Sequence, residues 1–283
     1  MKEIREAIER AKASDSFASA RHERRAAPQV RVASKLGPLP AGSHAPESRI
    51  DAAQEFELDA AHLQSKRIVA HNYMDAQAVP FDMLRTQVLQ SMDPKEWKVL
   101  GVTSPSPGCG KTLTAVNLAL SIARLPEKTV FLLDLDLRKP QVANVLGFRP
   151  RDGIMSVLEN RSTLRDAIIQ ARIGDIRMAI LPAESRASRP SDWMASSSMS
   201  GVLQKVKQDY QSSIIIVDLP PLLSSDDVLA IVPRLDCMLL VTAVGTTTIA
   251  EIKESSNHLQ STELVRIVLN KAPRSKSEYY YYS

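Results

Sequence analysis

Cysteine is scarce in this chain, with Cys109 and Cys237 the two thiols among 283 residues. Two cysteines cannot staple a disulfide scaffold, and they fit a reducing compartment. Long apolar runs are missing too. The longest, around Met238 to Val244, falls far short of the length a bilayer requires, so no spanning helix is expected. The N-terminal stretch MKEIREAIERAKASDS has no apolar signal core, and a cytoplasmic chain is expected. Excess charge is also weak: a net +4 does not by itself argue for nucleic acid, and none is expected as a partner. No histidine falls in a spacing that suggests a metal site; His62, His71 and His258 read as surface or internally satisfied residues. What is present, 44% hydrophobic and 24% charged residues, is an ordinary globular composition. The length allows one large α/β domain with extra segments, or two small domains.

The chain is organised around Lys98 to Arg124, KVLGVTSPSPGCGKTLTAVNLALSIAR. Val99 to Val102 is a short β-branched run, the mark of a buried parallel strand. Ser104 to Gly110 cannot continue it, and from Lys111 the apolar Leu113, Val116 and Leu120 recur at helical spacing. Strand, tight loop and a helix opening in Gly-Lys-Thr form the setting of a phosphate-binding loop. Gly108 and Gly110 let backbone N–H groups turn toward an anion, and the helix N-terminus adds its positive end. Lys111 can reach terminal phosphates, and the Thr112 hydroxyl can ligate Mg²⁺. ATP with Mg²⁺ is therefore the expected ligand, held on Pro107 to Thr112 and extending to Leu113. The pattern departs from the full motif at Pro105, where a glycine belongs.

Taken in order, residues 1–76 read as a flexible arm with weak helices, at Met1 to Lys12 and within Ile50 to His62. The basic run Arg21, His22, Arg24, Arg25 reads as solvated. Order is expected from Gln77, with a helix after Pro80 presenting Phe81, Leu84, Val88 and Leu89 on its apolar face. Further strands are expected at Thr129 to Leu133, Met178 to Leu181, Ile214 to Val217, Met238 to Thr242 and Arg266 to Leu269. Helical patterns such as Met199 to Tyr210 and Ile249 to Leu259 separate most of them. This alternation predicts an α/β fold with a doubly wound, mostly parallel sheet, in which ligands sit beyond the carboxyl ends of the strands. The nucleotide-binding domain is placed at 77–272 and a tyrosine-rich tail at 273–283.

Two strands end in aspartate, at Asp134 and Asp136 in VFLLDLDLR and at Asp218 in IIIVDLPP. A carboxylate at the tip of a buried strand needs a cation or donors, and near a triphosphate the natural partner is Mg²⁺ or its water shell.

With SPSPGCGKT (104–112), LLDLDLRKP (132–140), IIIVDLPP (214–221), IVLNK (267–271) and the tail EYYYYS (278–283), the chain resembles the bacterial tyrosine kinases of capsule and exopolysaccharide synthesis. The likeness spans roughly 82–283 and implies the deviant phosphate-loop ATPase fold. It implies that Lys111, Asp134, Asp136 and Asp218 are catalytic. It also implies that Thr112, Asp134 and Asp218 hold Mg²⁺, and that Arg138 and Asn270 join the loop in binding ATP. The Asn270 amide would read adenine, and either Asp134 or Asp136 would accept the tyrosine proton. Asp82 and Arg85 partly match the family's oligomerisation motif, although Val88 stands where its second arginine belongs. Self-association is expected. A separate membrane polysaccharide chain-length regulator is the implied activator, holding the kinase peripherally at the inner membrane. Glu184 replaces a glycine common in the family's central region.

Four of the six tyrosines, Tyr279, Tyr280, Tyr281 and Tyr282, are consecutive. An aromatic run at a chain end has no core to join, and such a cluster on a tether suits phosphoacceptors entering a neighbour's site. All four are therefore expected acceptors. Cys109 reads as a small residue filling a tight turn, with a thiolate-favouring redox position as the alternative. Two rival functions share the fold. One is a partition or septum-positioning ATPase, which carries a lysine where Ser106 stands here. The other is a regulatory module that only binds nucleotide.

Overall fold

The computed structural model describes residues 54–210 and 213–273, which fall in one compact unit. The expected N-terminal helix and the basic run lie outside the described residues. So do the four expected phosphoacceptors, Tyr279, Tyr280, Tyr281 and Tyr282. Among the described residues eight strands form one sheet: β1 (Gln54–Glu57), β2 (Val99–Thr103), β3 (Thr129–Asp134), β4 (Ile169–Ile173), β5 (Ile176–Leu181), β6 (Ser213–Asp218), β7 (Cys237–Ala243) and β8 (Glu263–Asn270). Their order is β1-β4-β5-β3-β6-β2-β7-β8. Every adjacent pair is parallel except β4 with β5.

The central strands are apolar throughout because both faces are covered. Val130, Leu132, Ile214 and Ile216 face one core with the phosphate-loop helix Lys111–Ala123 and the helix Val79–Met92. Phe131, Leu133, Ile215 and Val217 alternate to the other face, against the helix Ser197–Asp209. Register then aligns the functional strand tips. Val102 of β2 pairs with Asp218 of β6, which pairs in turn with Asp134 of β3. The sheet thus brings the phosphate loop and both acidic motifs to one edge.

The structure departs from the sequence reading at two places. Residues 54–76 do not form an arm. Gln54–Glu57 is an edge strand beside β4, and the helix Ala60–Ser65 is capped by Asp59, whose side chain accepts from the Ala61 N–H. Leu63, Ile68 and Ala70 are fully buried in the first core. These apolar residues are too sparse in sequence to show a period. Asn117 on the phosphate-loop helix holds them: its Oδ1 accepts from Val69 N (2.8 Å) and Ala70 N (3.0 Å), and its Nδ2 donates to Arg67 O (3.1 Å). The second departure is β4, which forms an antiparallel hairpin with β5 through Gly174 (φ +55°). Among the described residues no helix is long and apolar enough to cross a membrane.

Candidate phosphate-loop site

The loop between β2 and its helix is laced to the loop after β6. Thr103 Oγ1 donates to Pro220 O (2.7 Å), Leu222 N to Ser104 O (2.8 Å) and Leu223 N to Pro105 O (3.0 Å). Pro105 thus sits where its carbonyl is used. Gly108 (φ +82°) and Gly110 (φ +94°) supply the left-handed turns. A Cβ on Gly108 would meet nothing within 4 Å, so that side of the loop is open. A Cβ on Gly110 would collide with Asn270 Nδ2. Gly110 directly precedes Lys111, the first residue of the helix.

Three of the expected catalytic groups converge here, Lys111 meeting Asp136 and Asp218. Its Nζ lies 2.7 Å from Asp136 Oδ2 and 3.4 Å from Asp218 Oδ1, and Thr112 Oγ1 donates to Asp218 Oδ2 at 2.7 Å. Burial alone would lower the Lys111 ammonium, but the carboxylates of Asp218 and Asp136 outweigh it and hold its pKa above the usual lysine value. Asp218 is completely buried, which pushes its carboxyl up, with Lys111 and Thr112 opposing.

Asp134 is placed differently. Its Oδ1 accepts from Asp136 N (3.1 Å), and its Oδ2 from Gln141 N (3.1 Å) and Val142 N (3.0 Å). Burial and the Asp218 charge push it up to about 8. Asp134 therefore organises the loop that follows β3, while Asp136 is the carboxylate in contact with the lysine.

The remaining expected binding residues divide. Arg138 faces Asp227 in a two-point ion pair, Nε to Oδ2 at 2.5 Å and Nη2 to Oδ1 at 3.0 Å, which holds its guanidinium above its ordinary value. Asn270 Nδ2 donates to Cys109 O at 2.9 Å, and its Oδ1 accepts from Lys271 N at 2.8 Å. Asn270 thus closes on the phosphate loop itself. The Cys109 thiol is buried and donates to Ser106 O at 3.2 Å, in keeping with a turn-filling residue. Pro107 is exposed, and Leu113 packs against the first core.

Asp227 and Asn117 escaped the sequence reading, and Glu184 and Asp82, which it named, make contacts it did not foresee. Asp227 is a fully buried acid in an SSDD stretch, where only its position shortly after DLPP is a signal. Asn117 is a buried amide on the phosphate-loop helix, one turn from the buried Thr114 and Ser121, with nothing in its spacing to mark it. Glu184 caps the helix Ile154–Leu158: its Oε1 accepts from Ser156 N (2.6 Å) and Oγ (2.7 Å), and its Oε2 from Met155 N (3.2 Å). Asp82 is paired with Arg85 (3.2 Å) and Arg124 (2.9 Å) and accepts from Ser121 Oγ (2.5 Å). The loop helix and its C-cap residue thus engage the Asp82 carboxylate within the chain.

A family model described as an AAA domain matches residues 97–261. The chain is 28% identical over 202 residues to the tyrosine-protein kinase CpsD of Streptococcus pneumoniae serotype 4, covering 70% of this chain and 86% of that one. It is 29% identical over 202 residues to the tyrosine-protein kinase YwqD of Bacillus subtilis, covering 70% and 83% respectively. It spans only 30% of the length of AmsA from Erwinia amylovora, to which it is 26% identical over 221 residues. The VpsO kinase domain superposes with a TM-score of 0.60 at 27% identity, covering 70% of this chain and 97% of that one. The chimerical protein CapA2B2 shares the fold with a TM-score of 0.67 at 22% identity, covering 79% and 95%.

Proposed function

The chain belongs to the AAA-domain family and, within it, to the bacterial tyrosine kinases of capsule and exopolysaccharide synthesis; from that premise we propose that it transfers the γ-phosphoryl group of ATP to its own C-terminal tyrosines, Tyr279, Tyr280, Tyr281 and Tyr282. The observation that carries this reading is the contact of Lys111 with Asp136 and Asp218 at the opening of an exposed glycine loop. Bound Mg²⁺-ATP would supply the phosphoryl group and a divalent charge. Thr112 and Asp218, already joined, are the pair suited to Mg²⁺, an ion that takes one or two carboxylates plus phosphates and water. Lys111 is placed to stabilise phosphoryl charge at the helix N-terminus. Once Lys111 turns to that charge, Asp136 Oδ2 is free to accept the phenolic proton. Asp134, with both oxygens held by backbone N–H groups, keeps the loop carrying Asp136 in place.

The reading includes a membrane polysaccharide chain-length regulator as activator in trans and transfer between subunits. The test mixes a Lys111→Met chain that keeps its tyrosines with an active chain in which Tyr279, Tyr280, Tyr281 and Tyr282 are all Phe. Phosphotyrosine on the Lys111→Met chain, at a rate rising with total concentration, is the expected result. Label on neither chain, while wild type labels well, would place transfer within one chain. A wild type that never gains phosphotyrosine, even with a membrane activator present, would replace the kinase by a hydrolytic ATPase switch.

A further inference from the structure

A cavity of about 470 Å³ lies outside the phosphate loop, beyond the carboxyl ends of β3 and β5. Pro140, Phe148 and Pro150 give it an apolar wall, and Arg149, Arg186 and His62 give it polar edges. The His62 ring is fixed over Gly147. A Cβ there would lie 2.8 Å from His62 Cδ2, and His62 Nε2 is 3.2 Å from Asn144 O. Phe148 is held from behind by Phe56, with ring centroids 5.4 Å apart.

The charge of this cavity is one-sided. Arg149 and Arg186 are exposed, and neither forms an ion pair among the described residues. The one acid in the lining, Glu184, is committed to the Ser156 and Met155 N–H groups, with Arg161 3.6 Å away. Two uncommitted guanidiniums beside a flat apolar wall suit a compact dianion carried on an aromatic ring. Guanidinium forks match phosphate oxygens, and proline and phenylalanine faces suit the ring.

We propose that this cavity is a phosphotyrosine-binding site, distinct from the phosphate loop, and that its occupant is the phosphorylated tail of this chain, residues 274–283. Charge favours the modified tail alone. Without phosphate the segment RSKSEYYYYS carries Arg274 and Lys276 against Glu278, and two arginines do not attract it. Each phosphate adds roughly −1.5 to −2 charges near neutral pH.

Topology puts the tail within reach. The strands β3, β5, β7 and β8 run the same way, so the chain leaves β8 on the same sheet edge as the cavity. In the strand order β8 stands four positions from β3 and five from β5, a span of roughly 19–24 Å at normal strand spacing. From Pro273 an extended chain reaches about 30 Å by Tyr282 but only about 20 Å by Tyr279. The later tyrosines are therefore the ones that arrive.

The source of the phosphate rests on the kinase reading above; the binding itself does not. The experiment uses full-length Lys111→Met protein and a labelled peptide of residues 274–283 with phosphotyrosine at 279–282, read by fluorescence anisotropy. The phosphopeptide is expected to bind, and the unmodified peptide is not. Arg149→Ala with Arg186→Ala should weaken binding at least ~10-fold, because charge-assisted bonds to phosphate are lost. Saturating Mg²⁺-ATP should not displace the peptide, and inorganic phosphate should do so only in large excess. Wild-type protein phosphorylated on its tail should bind the added peptide more weakly until a phosphatase frees the cavity. Equal binding of the unmodified peptide, no loss in the double variant, displacement by ATP, or inorganic phosphate competing as well as the peptide would each overturn the assignment. Identical peptide binding by phosphorylated and dephosphorylated protein would overturn the tail as occupant. A chain inert in the phosphotyrosine assay would sink the kinase reading and leave the peptide-binding result standing.

Discussion

Lys111 Nζ and Asp136 Oδ2 lie 2.7 Å apart in a site where both side chains are almost wholly buried. The lysine therefore neutralises acids as well as awaiting phosphate. Lys111→Met should reduce autophosphorylation at least ~100-fold, the scale of a lost transition-state charge clamp. It should also destabilise the fold, because Asp136 and Asp218 lose their cation; breaking a buried pair costs about 3–5 kcal/mol. Phosphotyrosine blotting and thermal melting read the two effects. Near-normal activity in a folded variant would remove Lys111 from the chemistry.

Legibility followed burial and sequence distance. Strands β2, β3, β6 and β7 were plain because each is an apolar run covered on both faces. Strand β1 was not, since its QEFE pattern is that of a mostly exposed edge. Lys111, Thr112 and Asp218 could be read because loop and strand tip are each contiguous in sequence. Asp227 could not, because it acts through Arg138, 89 residues away, and Asn117 acts on a backbone 47 residues away. The substitution at Glu184 made sense only once the N–H groups of Met155 and Ser156 stood beside it.

Asp227 holds Arg138, two residues after Asp136, in a two-point pair. Asp227→Asn should release the guanidinium, a change on the scale of about 1.5–3 kcal/mol for a charge-assisted pair. Steady-state kinetics should show activity reduced roughly tenfold, and Arg138→Ala should add little on that background. Full additivity of the two substitutions would show that Arg138 does not act from this position.

The Cys237 thiol is pushed up to about 12 by burial, with Asp236 adding to it. Its thiolate is then about one part in ten thousand at pH 8, and alkylation of native protein there should be negligible. Raising the folded pKa favours the neutral thiol. The stability it contributes is complete below the unfolded value near 9 and is lost as pH rises toward 12. Melting temperature should fall between about pH 9 and 11, and less steeply in Cys237→Ala. Rapid labelling of Cys237 at pH 8 without denaturant would contradict its burial.

Asn117 ties the phosphate-loop helix to residues 67–70 and to its own preceding turn, accepting from Val69 N and Ala70 N and donating to Arg67 O and Leu113 O. Asn117→Ala would strand two N–H groups in a buried setting, at about 1–3 kcal/mol each. The expected loss is therefore roughly 2–6 kcal/mol in urea unfolding. Asn117→Asp should not rescue it, because a carboxylate keeps the two acceptor contacts but faces the Arg67 and Leu113 carbonyls with no donor. Hydrogen exchange at Val69 and Ala70 localises the effect, since those amides should lose protection in Asn117→Ala, less so in Asn117→Asp, while the β6 amides keep theirs. The same bonds connect this segment to the helix that begins at Lys111, so nucleotide that steadies the helix should slow exchange at Val69 and Ala70 in wild type. Unchanged protection in Asn117→Ala would show that packing of Leu63 and Ile68 alone holds the segment in place.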